Sequence, residues 1–300
     1  MLDTRSLLTT LTTLAAIATL ACTLSNAHAQ GLQSGNSKLL LTGGVSSIDG
    51  AAGGGLVPWA VTGGYASEHE FGATAYFTRA VLRDYALTGY GVAGSWNDRI
   101  EVSLARQAFD AAVVASDATL RMDIVGAKVR LMGDAILDSD TFVPQVAFGV
   151  ESKHLSPGSA VGGVLDSVGA RRHGIDYYLS ATKLFLSQAV LVNVTVRAAR
   201  ANQNGLLGFG SADDRRYRFK PEASVAWLLR RDLAVGAEVR TQSNNLRFAG
   251  EAFRADTWRD VFVAWAPIKN VSLTAAWVDL GNIAGHDRQT GGYLSAQFAY

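Results

Sequence analysis

Gly291-Gly-Tyr-Leu-Ser-Ala-Gln-Phe-Ala-Tyr300 is the stretch whose reading governs the rest of the chain. In an extended backbone successive side chains point to opposite faces, so Leu294, Ala296, Phe298 and Tyr300 share one side, and Ser295, Gln297 and Ala299 the other. One wall is apolar, the other small or polar, and the segment stops on an aromatic. The same period returns upstream. Ile100, Val102 and Leu104 stand opposite Arg99, Glu101 and Ser103. Val190, Val192, Val194 and Val196 stand opposite Asn193, Thr195 and Arg197. Phe219, Ala223, Val225, Trp227 and Leu229 stand opposite Arg218, Lys220, Glu222 and Ser224. Leu233, Val235, Ala237 and Val239 stand opposite Glu238 and Arg240.

These segments have the length of a tilted membrane-crossing strand, roughly 9–11 residues, apolar toward lipid and polar toward a lumen. The expected fold is all-β, an antiparallel up-and-down transmembrane barrel of about 14 strands, within a range of roughly 12–16. The strands are placed at 37–45, 57–66, 69–79, 85–96, 99–108, 119–131, 142–152, 173–185, 189–200, 217–229, 232–242, 258–267, 270–280 and 291–300. Loop lengths alternate, as short inner turns and long outer loops require. Counting back from Tyr300, segments 281–290, 243–257, 201–216 and 153–172 are long, and those between them short. The segment 46–56 is expected as an outer loop. In 119–131, one polar face for Arg121, Asp123, Lys128 and Arg130 requires a bulge, expected at Gly126. The final strand resembles the C-terminal strand of bacterial outer-membrane barrels, whose last aromatic residues, here Phe298 and Tyr300, are read by the barrel-assembly machinery.

Residues 1–29 read as a secretory signal, apolar from Leu7 to Leu24 and closing on Ala27-His28-Ala29, with cleavage expected after Ala29. That leaves 30–300 as a single barrel domain. The only cysteine, Cys22, falls in the signal, so disulfides and thiol chemistry are excluded from the mature chain. An apolar content of 48% excludes disorder, and a net charge of +1 argues against a nucleic-acid partner. The expected address is the outer membrane, with lipid, lipopolysaccharide and small solutes as partners; the oligomeric state is left open.

Residues 43–64 stand apart. Gly43-Gly-Val-Ser-Ser-Ile-Asp-Gly-Ala-Ala-Gly-Gly-Gly55 runs into Leu56-Val57-Pro58-Trp59-Ala60. So many glycines permit close approach to another surface. Two readings follow: a loop that folds into or over the barrel mouth and narrows it, with Ser46, Ser47 and Asp49 at the constriction, or a flexible hairpin. The absence of a Gly-Lys-Ser/Thr ending excludes a phosphate-binding loop. The string resembles the signature of a proteobacterial family known as domain of unknown function 3034. The resemblance covers nearly all of the mature chain and implies an outer-membrane barrel, with no catalytic residues to carry over.

The histidines His69, His154, His173 and His286 lack metal-ligand spacing, so neither a metal nor a cofactor is expected. Ser156 or Ser167 with His173 would be the elements of a hydrolase on the outer loops. The candidate lumen residues are Arg99, Glu101, Arg121, Asp123, Arg197, Arg218, Lys220, Glu222, Glu238 and Arg240, joined by Glu70, Lys128, Arg130, Glu151 and Asp176. Their near balance of sign argues against strong ion preference. The leading expectation is a non-enzymatic, narrow or gated channel for passive passage of small solutes, constricted by 43–57 and 153–172. The alternatives are a structural or adhesive barrel with a filled lumen and binding outer loops, and the membrane-embedded hydrolase.

Overall fold

The computed structural model describes residue 41 and residues 43–67, 69–113, 118–136 and 141–300; the expected signal peptide lies outside them. A two-residue hairpin, β1 (Val45–Ser46) with β2 (Ala52–Gly53), precedes the wall. The wall itself is β3 (Phe71–Leu82), β4 (Ala86–Trp96), β5 (Ile100–Asp110), β6 (Thr119–Met132), β7 (Gln145–Ser156), β8 (His173–Phe185), β9 (Val190–Ala199), β10 (Arg218–Arg230), β11 (Leu233–Arg240), β12 (Trp258–Ile268), β13 (Val271–Asp279) and β14 (Thr290–Ala299). Each pairs antiparallel with the next, and β14 pairs with β3 to close the ring. Tyr300 continues that seam: its N–H donates to Ala73 O at 2.8 Å, and Ala73 N–H donates back at 2.9 Å. Closure leaves no unpaired edge.

The expected count of about 14 strands is therefore corrected to the twelve of β3–β14. All of the later segments are strands. The two that fail are the first: 37–45 falls mostly outside the described residues, and 57–66 is not a wall strand. Its alternation is genuine, but residues 45–64 are buried in both phases, so neither face is offered to lipid. Pro58 also lacks the N–H that a ladder needs. The expected outer loop 46–56 is corrected as well, since it lies inside the barrel.

Short connections (97–99, 186–189, 231–232, 269–270) and the longer 133–144 gather at one end, with the C-terminus. The other end carries 83–85, 111–118, 157–172 with helix α1 (Gly158–Ser167), 200–217, 241–257 and 280–289. Outward side chains form an apolar band: Val102 beside Ala127, Leu104 beside Val125, Val225 beside Val192, Val261 beside Trp277. Four of the six tryptophans, Trp96, Trp227, Trp265 and Trp277, face out in this band, whereas Trp59 and Trp258 are interior. Among the described residues no helix is long and apolar enough to cross a membrane.

No bulge interrupts Gly126. Val125 and Ala127 pair in step with Leu104 and Val102, and the irregularity falls between Arg130 and Met132. Leu120, Met122 and Ile124 accordingly point inward, while Arg121 and Asp123 point outward. The wall inverts its polarity along its length, because its long-loop end stands above the apolar band and encloses packed loops rather than water.

Candidate functional site

The interior is filled from the short-turn end. Residues 43–66 enter beside Tyr300, with Tyr65 N–H donating to its carbonyl at 3.2 Å, rise up the lumen and return. Glycine is required where this plug presses on the wall. A Cβ on Gly54 would fall on the Glu238 carboxylate, and one on Gly55 on the Tyr293 hydroxyl. Gly50 turns at φ +94°, where L side chains are disfavoured.

Past that one backbone bond at its base, the plug must find other partners for its buried peptide groups. Inward side chains supply them. Glu101 accepts from Ala52 N–H at 3.1 Å and Gly63 N–H at 2.7 Å. Glu238 accepts from Leu56 N–H at 2.7 Å. Thr182 accepts from Ala60 N–H at 2.8 Å, and Gln145 donates to Ala60 O at 2.8 Å. Lys128 donates to Ala52 O and Trp59 O at 3.0 and 3.2 Å, and pairs with Glu101 at 3.0 Å. Thr195 donates to Pro58 O at 2.9 Å, and the Trp59 indole N–H donates to Ser224 at 3.0 Å. Ser46 reaches Gln297 at 2.7 Å.

Between β7 and β11 the inward face carries an ion-pair network. Arg197 bridges Glu151 at 2.7 Å and Glu222 at 2.6 Å. Lys153 lies 3.3 Å from Glu151 and 3.1 Å from Asp176. Arg240 lies 3.4 Å from Glu222. Asp49, at the plug's tip, enters this network 2.7 Å from Arg240 and 3.3 Å from Lys153. Buried charge persists only when paired, and here the members lie within reach of one another at 2% exposure or less.

Above Asp49 the filling becomes apolar. Ile48, Leu56 and Val57 of the plug join Met122, Leu155, Leu165, Leu206, Leu207, Phe209, Leu246, Trp258 and Ile283 in one core. Asn204, at φ +61° in the 200–217 loop, ties cap to plug. Its amide donates to Asp49 at 2.8 Å, and its carbonyl accepts from Lys153 at 2.8 Å and Arg240 at 2.7 Å. Tyr85, in the β3–β4 loop, donates its hydroxyl to Ile283 O at 3.0 Å. Burial and then the charge of Asp84 raise its phenol to about 12, so it stays a donor at neutral pH.

The family model described as protein of unknown function (DUF3034) matches residues 42–297. The chain belongs to this family. No curated protein sequence matches it. Among solved structures the DUF3034 barrel is similar to the KdgM porin (TM-score 0.47, 12% identity, 76% of this chain and 99% of that one). It is also similar to the NanC porin (0.49, 10%, 76% and 98%) and to outer membrane phospholipase A from Escherichia coli (0.42, 10%, 77% and 93%).

Of the lumen residues expected from sequence, Glu101, Arg197, Lys220, Glu222, Glu238 and Arg240 do line the interior, with Lys128, Glu151 and Asp176. Four others do not. Arg99 is exposed in the 97–99 turn. Arg121 and Asp123 face outward above the band, where Asp123 pairs with Arg106 at 2.5 Å. Arg218 keeps the inward phase but stands at the open rim, bonded to Asp214. Arg130 sits at the short-turn rim against Asp98 and Asp134 at 2.5 and 3.0 Å, and Glu70 in the 69–70 turn accepts from Ser67 at 2.6 Å. Ser46, Ser47 and Asp49 are buried in the plug. Phe298 and Tyr300 lie on the outward face of the closing seam.

Sequence reasoning missed Lys153 by ending its strand at Ser152, although Glu151-x-Lys153 continued the alternation. It could not find Asn204, whose part depends on a loop folding inward. Among the described residues neither Ser156 nor Ser167, the serines of the hydrolase alternative, hydrogen-bonds His173. Ser167 donates to Val164 O at 2.7 Å, and His173 meets Ser152 at 3.1 Å on the outer surface. In the 200–217 loop the Arg216 backbone N–H and side chain, with Arg218, hold Asp214 below the usual carboxylate range.

Proposed function

We propose that this protein is an outer-membrane barrel that passes small polar solutes when its N-terminal segment 43–66 leaves the lumen, and that it is closed at rest. One observation carries the reading. The wall is complete without the plug, from β3 round to the β14 seam, and the face it would then expose is charged and wettable. An interior that remained permanently dry would gain nothing in stability from this network, since well-packed apolar side chains of similar volume serve as well or better. Beyond the Tyr65 N–H on the Tyr300 carbonyl at its base, the plug is held through side chains, so it can leave without opening the ring. Its departure would also remove the floor of the cap, because Ile48, Leu56, Val57 and the Asn204 anchor go with it. Twelve strands lie between the roughly 8 that side chains fill and the roughly 16 that leave an open channel, which suits a narrow passage.

Export by residues 1–29, insertion by the barrel-assembly machinery and contact with lipid and lipopolysaccharide belong to the same reading, with the short turns periplasmic. The test is conductance in planar bilayers. The full chain is expected to be silent or to open rarely, and deletion of 43–63 is expected to give discrete, frequent openings. A deletion variant that inserts stably yet never conducts sinks the proposal. The filled interior favours a second reading, a scaffold whose loops 201–216 and 243–257 bind a surface partner. In that case their removal would abolish binding and leave insertion intact.

A further inference from the structure

Asp49 is 1% exposed at the tip of the plug, and every group that touches its carboxylate belongs to the wall or the cap. Oδ1 accepts from Asn204 Nδ2 at 2.8 Å and Gln107 Nε2 at 3.3 Å, with Lys153 Nζ also at 3.3 Å. Oδ2 lies 2.7 Å from Arg240 Nη1 and 3.9 Å from Arg197 Nη2. These groups come from β5, β7, β9, β11 and the 200–217 loop, and the four on the wall stay in place when the occupant leaves. Charge specifies what must replace it. Three cations, Lys153, Arg197 and Arg240, converge on Asp49, and Glu151, Asp176 and Glu222 stand around them. A seat on which three cations converge, ringed in turn by three fixed carboxylates, accepts a monoanion more readily than a dianion. Oδ1 takes two amide hydrogen bonds and Oδ2 a close ion pair with Arg240, an arrangement that fits a carboxylate.

We propose that the Asp49 seat is a carboxylate-binding site, and that the solute admitted when the plug withdraws is a small monocarboxylate anion for which Asp49 is the built-in stand-in. The second half rests on the gated-passage reading; the first does not. The probe is sodium formate on the full-length D49A variant, because formate replaces the COO− group that truncation to alanine removes. Insertion is checked by heat-modifiable mobility. D49A is expected to melt several degrees below the parent, and formate is expected to restore most of that difference saturably. Sodium chloride and formamide at matched concentration should restore none. D49N, which keeps the seat filled, should not respond to formate. If chloride acts as well as formate, or neither acts, the site is refuted. Should D49A fail to insert, the chain lacking 43–63 replaces it, with saturable binding of formate over chloride as the same criterion. Liposome swelling with that deletion then separates the claims. Faster entry of acetate than of neutral glycerol supports the solute class, and equal entry overturns it. A formate-rescued D49A alongside a deletion barrel that passes neither leaves the site standing and removes the passage.

Discussion

Around the plug the wall turns Glu101, Lys128, Arg197, Glu222, Glu238 and Arg240 inward, whereas around the cap it turns Leu120, Met122, Leu155 and Trp258 inward. The same twelve-strand ring thus closes one aperture by unlike means: paired charge and backbone capture below, apolar packing above. The exterior mirrors the switch. Outside the plug lie Val102, Val194 and Trp265; outside the cap lie Arg106, Arg121 and Asp123. The lesson is that inward or outward polarity here follows height on the barrel: the level charged within is apolar without, and the level apolar within is charged without.

The comparison can be broken most forcefully at Arg197. Its replacement by alanine strands Glu151 and Glu222 without their shortest ion pairs, and losing one member of a buried network costs about 3–5 kcal/mol. Equilibrium urea unfolding in detergent micelles should record that loss. A cost below about 1 kcal/mol would mean that the lower lumen already admits water. At the cap, Phe209→Ala empties a site that is 3% exposed and should cost about 3 kcal/mol. Hydrogen exchange should localise that effect to 200–211 and leave 51–63 protected. Exchange rising equally in both would show that the two seals yield as one unit through Asn204, which sharpens the gating scheme. The smallest effect is expected at Arg106→Ala. Its pair with Asp123 is about half exposed, so thermal melting should register only a small shift, smaller still at high salt.

The last ten residues were legible almost in full. Leu294 and Phe298 face outward, and Ser295 and Gln297 inward, because a strand's period of two leaves one choice once lipid takes the apolar face. Segment 57–66 shows the limit. Val57, Trp59 and Val61 alternate as well as any wall strand, yet they pack inside. Alternation records that two environments differ, not that one of them is lipid. Arg121 and Asp123 failed for a related reason: a charged face was equated with the lumen, although at their height the outside is the wet side. Of the site itself, Asp49 and the Arg197–Glu222–Arg240 group could be named separately, but their meeting could not, since the plug's path crosses from residue 49 to residue 240.

By itself the sequence determined the wall: strand period, loop alternation and closing aromatics are local facts that one chain of residues carries in order. Only the tertiary structure decided what fills that wall. Glycine-rich backbone has no preferred face of its own, and the charges that receive it lie on strands far apart in sequence.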